Sequence, residues 1–178
     1  VQFQKGISLS EFLKDYGTEE QCFDALVRWR WPEGFRCSVC HHDKYCQLKS
    51  RNLYQCNRCH HQTSVTAGTI FQSTKLSLTT WFQGIYFITQ DKKGISALEL
   101  HRLLGISYHA AWRMKQKLMQ VMLERDNGQP LSGFIELDDA YLGGERTGGK
   151  RGRGAAGKTP FVAAVATTSE GQPARVKF

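Results

Sequence analysis

Four cysteines in two closely spaced pairs constrain this chain more than any other feature. Cys37 and Cys40 form the first pair, Cys56 and Cys59 form the second, and fifteen residues separate the pairs. Two residues between the cysteines of a pair let both sulfurs face one metal, and two pairs complete the tetrahedral thiolate shell of Zn²⁺. Four thiolates leave no open coordination position, so the spacing predicts one structural zinc ion in a ribbon over residues 35–66.

Two alternatives to this zinc site are chance pairing and a redox motif, but a redox pair is usually single and opens a helix. The two remaining cysteines, Cys22 and Cys46, are predicted to be ordinary buried thiols. The polar side chains around the knuckles are expected to be solvated or to contact phosphates. They are His41, His42, Lys44, Arg51, Arg58, His60 and His61.

The charge balance favours a polyanionic partner. The chain has 24 Lys and Arg residues against 16 Asp and Glu, a net charge of +8, and nucleic acid is the commonest partner of such a chain. The alternative is charge that serves solubility alone. No apolar run reaches the roughly 20 residues that span a bilayer, and no secretion signal opens the chain. We therefore expect a cytoplasmic, nucleoid-associated protein with no membrane partner.

Helix signals occur on both sides of the ribbon. Ser8 and Thr18 open capping boxes in an N-terminal helical segment over residues 1–34. A second helical region covers residues 76–126, and it contains a corner at Gly105 that joins two amphipathic helices. A glycine corner between two helices with a shared apolar face is typical of a helix-turn-helix. The alternative is an αα-hairpin of a helical bundle with a solvated basic face.

The second helix of this pair carries polar residues on its outer face, and Arg and Gln are suited to base edges while Lys is suited to phosphates. The predicted DNA contacts on this helix are His109, Arg113, Gln116 and Lys117.

The period changes from helical to alternating in residues 131–178. The first apolar strand there ends in Glu136, Asp138 and Asp139, and Glu136 and Asp138 share one face. Carboxylates at a strand end can bind Mg²⁺ or Mn²⁺ through hard oxygen ligands. The alternative is a strand that runs into an acidic turn.

A loop rich in glycine and basic residues follows this strand, over residues 143–159. It suits a phosphate-binding segment beside a metal site, and the alternative is a disordered basic linker. The predicted DNA contacts in this loop are Arg146, Lys150, Arg151 and Arg153, with Lys158 beside them.

In this order, the motifs resemble those of the DDE-type insertion-sequence transposases with an N-terminal zinc ribbon. The matching pieces are Cys37-Ser-Val-Cys40 with Cys56-Asn-Arg-Cys59, Gly68-Thr-Ile-Phe71, Leu78-Thr-Thr-Trp81, the helix-turn-helix, and Ile135-Glu-Leu-Asp-Asp-Ala-Tyr-Leu-Gly-Gly144. In that family the last motif is the first catalytic strand, usually Asp-Glu-Thr-Tyr-hydrophobic-Gly-Gly. Asp138 falls on its metal-binding aspartate, whereas Asp139 and Ala140 replace the common Glu and Thr.

The resemblance implies an α+β chain: N-terminal helices with a zinc ribbon, a helix-turn-helix region, and the first three strands of an RNase H-like α/β domain. It implies that Asp138 is catalytic, that Zn²⁺ is structural, and that Mg²⁺ or Mn²⁺ serves catalysis. Further catalytic residues are expected beyond Phe178. The chain begins with Val1 and ends in an apolar stretch, so we expect a fragment that binds DNA without cutting it.

The predicted function is that of a transposase that binds double-stranded DNA, both element ends and target, and that when complete performs Mg-dependent hydrolysis and strand transfer. A homo-oligomer is left open. One alternative is a zinc-ribbon and helix-turn-helix transcription regulator without catalysis. Another is a zinc-stabilised protein-interaction module with no affinity for DNA.

Overall fold

The computed structural model describes residues 6–48, 51–91, 94–143 and 157–178. Within these ranges the chain combines helices with two three-stranded antiparallel sheets, of order β1-β2-β3 and β4-β5-β6. The helices are α1 (Leu9–Tyr16), α2 (Glu19–Arg30), α3 (Leu78–Gln90), α4 (Ala97–Leu104) and α5 (Tyr108–Asn127). The strands are β1 (Tyr45–Leu48), β2 (Leu53–Cys56), β3 (Gln62–Ser64), β4 (Phe134–Leu142), β5 (Thr159–Thr167) and β6 (Pro173–Lys177). The predicted mixture of helix and sheet is confirmed.

Local capping fixes the start of the first two helices. The Ser8 hydroxyl accepts from the Glu11 N–H at 3.2 Å, and the Glu11 carboxylate accepts from the Ser8 N–H at 3.0 Å. Thr18 and Gln21 repeat this reciprocal pair at the start of α2. The backbone N–H of Ser8 and then its hydroxyl hold the pKa of Glu11 below its usual value. Both predicted capping boxes are therefore present.

Two side chains of α2 connect this helix to later segments: Arg30 bonds the end of the ribbon, and Glu19 bonds the start of α3. The Arg30 guanidinium donates to the carbonyls of Val65 at 3.0 Å and Ala67 at 2.6 Å. The Glu19 carboxylate accepts from the N–H groups that open α3, at Leu78 and Thr79. The described residues up to Leu123 form one compact unit. This unit contains the N-terminal helices, the ribbon and most of the helical region over residues 76–126.

The core of this unit runs from the N-terminal helices through the ribbon to α3, α4 and α5. Leu100 and Met114 are fully buried there. Gly84 on α3 permits the close approach of α5, since a Cβ at this position would lie 2.4 Å from the Met114 sulfur. A side chain at position 84 would therefore push Met114 and α5 away from α3.

A short corner joins α4 to α5 as predicted. Gly105 ends α4 in the left-handed region at φ 63°, a conformation that glycine adopts without strain. The Ser107 hydroxyl accepts from the Ala110 N–H at 3.2 Å and so caps α5. The His101 ring hydrogen-bonds the Ile106 carbonyl through Nδ1 and closes the corner from the α4 side.

The described residues from Glu124 onward form a second compact unit around β4, β5 and β6. All three strands lie in residues 131–178, where the sequence has the alternating period of strands. β4 pairs with β5 along its whole length, from Phe134 opposite Thr167 to Leu142 opposite Thr159. None of the described helices is long and apolar enough to cross a membrane.

Candidate metal centre and nucleic-acid interface

The two cysteine pairs converge on one point. The four sulfurs of Cys37, Cys40, Cys56 and Cys59 all lie within 4.8 Å of one another. Cys37 Sγ lies 3.5 Å from Cys59 Sγ, and Cys40 Sγ lies 3.5 Å from Cys56 Sγ. A regular tetrahedron with Zn–S bonds of about 2.3 Å has sulfurs about 3.8 Å apart. The four donors therefore fit a tetrahedral zinc ion, and their sulfur chemistry excludes Mg²⁺ and Ca²⁺ as the preferred occupant.

The two knuckles have the same backbone hydrogen bonds. The His41 N–H donates to the Cys37 carbonyl and the His60 N–H donates to the Cys56 carbonyl, both at 3.0 Å. His41 and His60 both have φ 57°, in the left-handed region. A side chain there costs roughly 1–2 kcal/mol relative to ordinary backbone. Each knuckle thus keeps a histidine where glycine would be free of strain.

Backbone groups shape the ionisation of the cysteine thiols. The N–H groups of Cys40 and then Val39 point at the Cys37 sulfur and lower the pKa of that thiol to about 6. At Cys59 the His61 N–H lowers the pKa, but burial and the neighbouring sulfurs raise it more, to about 12. Metal ligation requires thiolates. The backbone therefore favours the thiolate form of Cys37, while the proton of Cys59 must leave before the shell is complete.

The outer face of α5 brings three predicted DNA contacts together. His109, Arg113 and Gln116 are all exposed and follow each other by four and three residues, which places them on one stripe of the helix. The opposite face is buried and consists of Ala111, Met114 and Leu118. Exposed donors on the face opposite the core are available to an external partner.

Lys117, the fourth predicted contact on α5, lies beside this stripe and is engaged within the protein. Its ammonium donates to the Ile70 carbonyl at 3.0 Å and lies 5.8 Å from the centre of the Trp81 ring. Lys115 does the same with the Ile95 carbonyl at 2.7 Å. Both lysines anchor α5 to earlier segments, a use that their sequence spacing does not reveal.

The acidic strand β4 exposes its carboxylates in the arrangement that alternation predicts. Glu136 and Asp138 share one face and lie opposite Val165 and Ala163 on β5, whereas Asp139 lies on the other face. All three acids are exposed. Among the described residues, the four cysteines are the one group of three or more potential metal ligands with converging donor atoms. Asp138 thus stands without an assembled ligand set in this part of the chain.

Most of the basic loop after β4 lies outside the residues that the structure describes. Its predicted DNA contacts Arg146, Lys150, Arg151 and Arg153 fall outside the described residues. Lys158, next to the start of β5, is described and exposed.

Two segments of the chain match known protein families. Residues 17–62 match the transposase zinc-ribbon domain of the IS1595 type, and residues 130–178 match the ISXO2-like transposase domain. Both matched domains are domains of insertion-sequence transposases. The family resemblance of the sequence is thereby confirmed, and the four converging cysteines agree with a zinc ribbon.

A curated relative agrees with these matches. It is an uncharacterized protein in transposable element ISH50 of Halobacterium salinarum, 26% identical over 151 residues that cover 80% of this chain. The chain spans about half of that relative, since the aligned region covers 50% of it. No solved structure matches the chain. These matches do not favour a transcription regulator, the alternative that the sequence left open.

The two cysteines outside the four-sulfur cluster differ from each other. Cys22 is buried as predicted, and its thiol donates to the Tyr16 carbonyl at 3.3 Å. The prediction that Cys46 is buried is wrong, because this residue is exposed. β1 is an edge strand, and Tyr45 packs its ring on Phe35. Alternation along the strand then turns Cys46 to the solvent side.

We expect these two thiols to react differently with iodoacetamide. Burial, and then the charge of Glu19, raise the pKa of Cys22 to about 11, so this thiol keeps its proton at pH 8 and is shielded from the reagent. Mass spectrometry of the zinc-loaded protein should find alkylation at the exposed Cys46 and more than tenfold less at Cys22, since thiolate and access control the rate. Equal labelling of the two in the folded protein would contradict the structure.

Proposed function

We propose that this chain binds double-stranded DNA at the ends of a mobile element, with α5 as its reading helix. The observation that carries the proposal is the exposed stripe of His109, Arg113 and Gln116, directly after a glycine corner. In a helix-turn-helix, the second helix enters the major groove and its N-terminal part contacts base edges. The stripe lies in the first half of α5, where such contacts are made.

The packing of α5 supports this proposal. A reading helix must be held firmly, since base recognition depends on the position of its side chains within a fraction of an ångström. Lys115 and Lys117 anchor α5 to the carbonyls of Ile95 and Ile70, and His101 closes the corner before it. The net charge of +8 gives the chain a general attraction to the phosphate backbone.

We further propose that residues 131–178 begin an RNase H-like catalytic domain and that Asp138 is one of its metal ligands. Support comes from the antiparallel order β4-β5-β6 and from the match of this region to a transposase domain. Asp138 and Glu136 offer hard oxygen donors on one open face, which suits Mg²⁺ or Mn²⁺. Such an ion, when bound, activates water and stabilises the leaving oxygen in phosphodiester cleavage. The residues of this chain supply one or two of its ligands.

The reading role of α5 predicts a specific loss when Arg113 is changed. A pool of 30-base-pair duplexes with a randomised centre is first selected for binding to the wild-type chain. Arg113→Ala should bind the selected sequence about 10- to 100-fold more weakly, the worth of one bidentate base contact, and should lose the preference over unselected duplex. The measurement is fluorescence anisotropy at several salt concentrations, because phosphate contacts depend steeply on salt.

Arg125→Ala is the matched control for this experiment. Arg125 is an exposed arginine on the same helix, three turns beyond Arg113 and off the stripe. It removes the same charge, so it should reduce affinity for all sequences alike and leave the preference intact. Arg113→Ala decides the outcome. If it discriminates between the duplexes as well as Arg125→Ala and the wild type do, α5 does not read bases through Arg113.

A further inference from the structure

The two knuckles of the ribbon share one short sequence motif, which plays no part in the proposed role of α5. Each knuckle has the sequence Cys-x-x-Cys-His-His, at Cys37–His42 and at Cys56–His61. In each, the first cysteine N–H donates to the carbonyl of the second histidine, at 3.0 Å and 2.9 Å. The sulfurs contact crosswise, the first cysteine of one knuckle against the second of the other. The two knuckles are therefore equivalent halves around one centre.

The first histidine of each half occupies equivalent backbone. His41 and His60 are both exposed and both left-handed, at φ 57°. Glycine would take this conformation without strain. Each half therefore presents an exposed imidazole at the same backbone position. Neither contributes to a second metal site, because among the described residues no histidine joins a group of three converging ligands.

Hydrogen bonds around His60 show which ring nitrogen is available. Gln62 Nε2 donates to Gln55 Oε1 at 2.9 Å, which leaves the amide nitrogen of Gln55 as the donor toward His60 Nδ1 at 3.4 Å. Nδ1 then accepts, so the proton of the ring lies on Nε2. The exposed Nε2–H is a donor with no need to reorient before it meets an external acceptor.

The surroundings of the knuckles favour an anionic acceptor. Arg36 lies beside the first knuckle, where its guanidinium donates to the His41 carbonyl at 3.5 Å. Arg58 is exposed within the second knuckle, and no carboxylate of the described residues pairs with it. Residues 35–64 carry five Lys and Arg against one Asp. That surplus exceeds the charge of about −2 that one zinc ion with four thiolates carries.

We infer that the two knuckles form a paired phosphate-binding surface that grips the DNA backbone at a place separate from the groove that α5 reads. His60 donates through Nε2–H, His41 occupies the equivalent position in the other half, and Arg58 supplies charge. This inference rests on the proposed binding of DNA, and it assigns the ribbon a sequence-independent part of that binding. Phosphate contacts fix the register of a protein on the duplex while base contacts specify the sequence.

The left-handed backbone of His41 and His60 allows a test in which the imidazoles are removed without an expected loss of stability. The double change His41→Gly and His60→Gly removes both imidazoles at positions where glycine is unstrained, so the zinc-loaded full chain should keep one equivalent of zinc and a similar melting temperature. Its affinity for a random-sequence 30-base-pair duplex should fall about 100-fold or more, as two hydrogen bonds to charged groups are lost. Its preference for a selected sequence over random duplex should remain.

Asn52→Gly is the matched control. Asn52 is also left-handed, at φ 49°, but it lies next to the Leu48–Leu53 end of the β1–β2 pair, away from the knuckles at the Tyr45–Cys56 end. This variant should bind DNA as the wild type does. Arg58→Ala should lower the slope of log affinity against log salt concentration by about 1, the value for one phosphate contact.

The outcomes distinguish this inference from the proposed function. If the wild-type chain binds no duplex, the proposed function itself fails. If Arg113→Ala loses sequence preference while the double glycine variant and Arg58→Ala bind random duplex like Asn52→Gly, the reading helix stands and the knuckle surface is overturned. Loss of zinc from the double glycine variant would assign the histidines to support of the metal site and would also overturn the inference.

Discussion

Replacing Cys56 with serine is expected to remove zinc from the protein and to unfold the ribbon. Cys56 is fully buried, and its sulfur faces that of Cys40 at 3.5 Å. A structural zinc ion in a zinc-finger peptide contributes about 10–16 kcal/mol of apparent binding free energy. A serine hydroxyl is a poor replacement for thiolate, and the ribbon has a small core of its own around Phe35, Tyr54 and Val65.

The experiment compares two serine variants after dialysis against a chelator. Zinc content should fall from one equivalent to nearly none in Cys56→Ser, and the amides of β1, β2 and β3 should lose their protection from hydrogen exchange. Cys46→Ser is the control, because Cys46 is a ribbon cysteine that is exposed and outside the sulfur cluster. It should retain both zinc and protection. One equivalent of zinc held by Cys56→Ser would refute the four-sulfur site.

Loss of the ribbon should spread in a defined way. Arg30 bonds the carbonyls of Val65 and Ala67, so the C-terminal turn of α2 loses an anchor when this segment unfolds. Leu100 and Met114 are buried residues of α4 and α5, two helices that carry no cysteine. We therefore expect α4 and α5 to keep their slow hydrogen exchange in the zinc-free protein, while α2 exchanges faster. The folded ribbon should therefore stabilise the N-terminal helices more than it stabilises α5.

Features that depend on neighbours in sequence could be predicted, and the knuckles show why. Two residues between cysteines fix the sulfurs on one side of a turn, whatever the rest of the chain does. The capping box at Ser8 and the glycine corner at Gly105 are local in the same sense, since each bond closes within three or four residues. Such features need no knowledge of tertiary packing.

Features that depend on distant partners could not be predicted. Lys117 resembles a DNA contact in the sequence, yet its ammonium bonds a carbonyl 47 residues earlier in the chain. Cys46 is apolar enough to be a core residue, but its exposure follows from the position of β1 at a sheet edge. For Asp138, alternation gives the face of the strand, whereas a complete ligand set depends on segments that pair with it.

The burial of Leu100 on α4 yields the second large effect. Leu100 is fully buried, and Leu98, on the same helix, is 48% exposed. Two residues along a helix correspond to a rotation of about 200°, so these leucines lie on opposite faces. Leu100→Ala should lower the free energy of unfolding by about 2–5 kcal/mol, through lost burial and the cavity left in the core. Leu98→Ala should change it by about 0.5 kcal/mol or less.

Urea denaturation of the zinc-loaded protein, followed by tryptophan fluorescence, measures both values. Leu98→Ala controls for the loss of side-chain volume and for any change in helix propensity, because the two substitutions are chemically identical and differ in burial alone. A cost below about 1 kcal/mol for Leu100→Ala would show that Leu100 is not packed in the core in the way described. Leu100 belongs to the same buried cluster as Met114 of α5, so this measurement also tests the core on which the proposed position of His109, Arg113 and Gln116 depends.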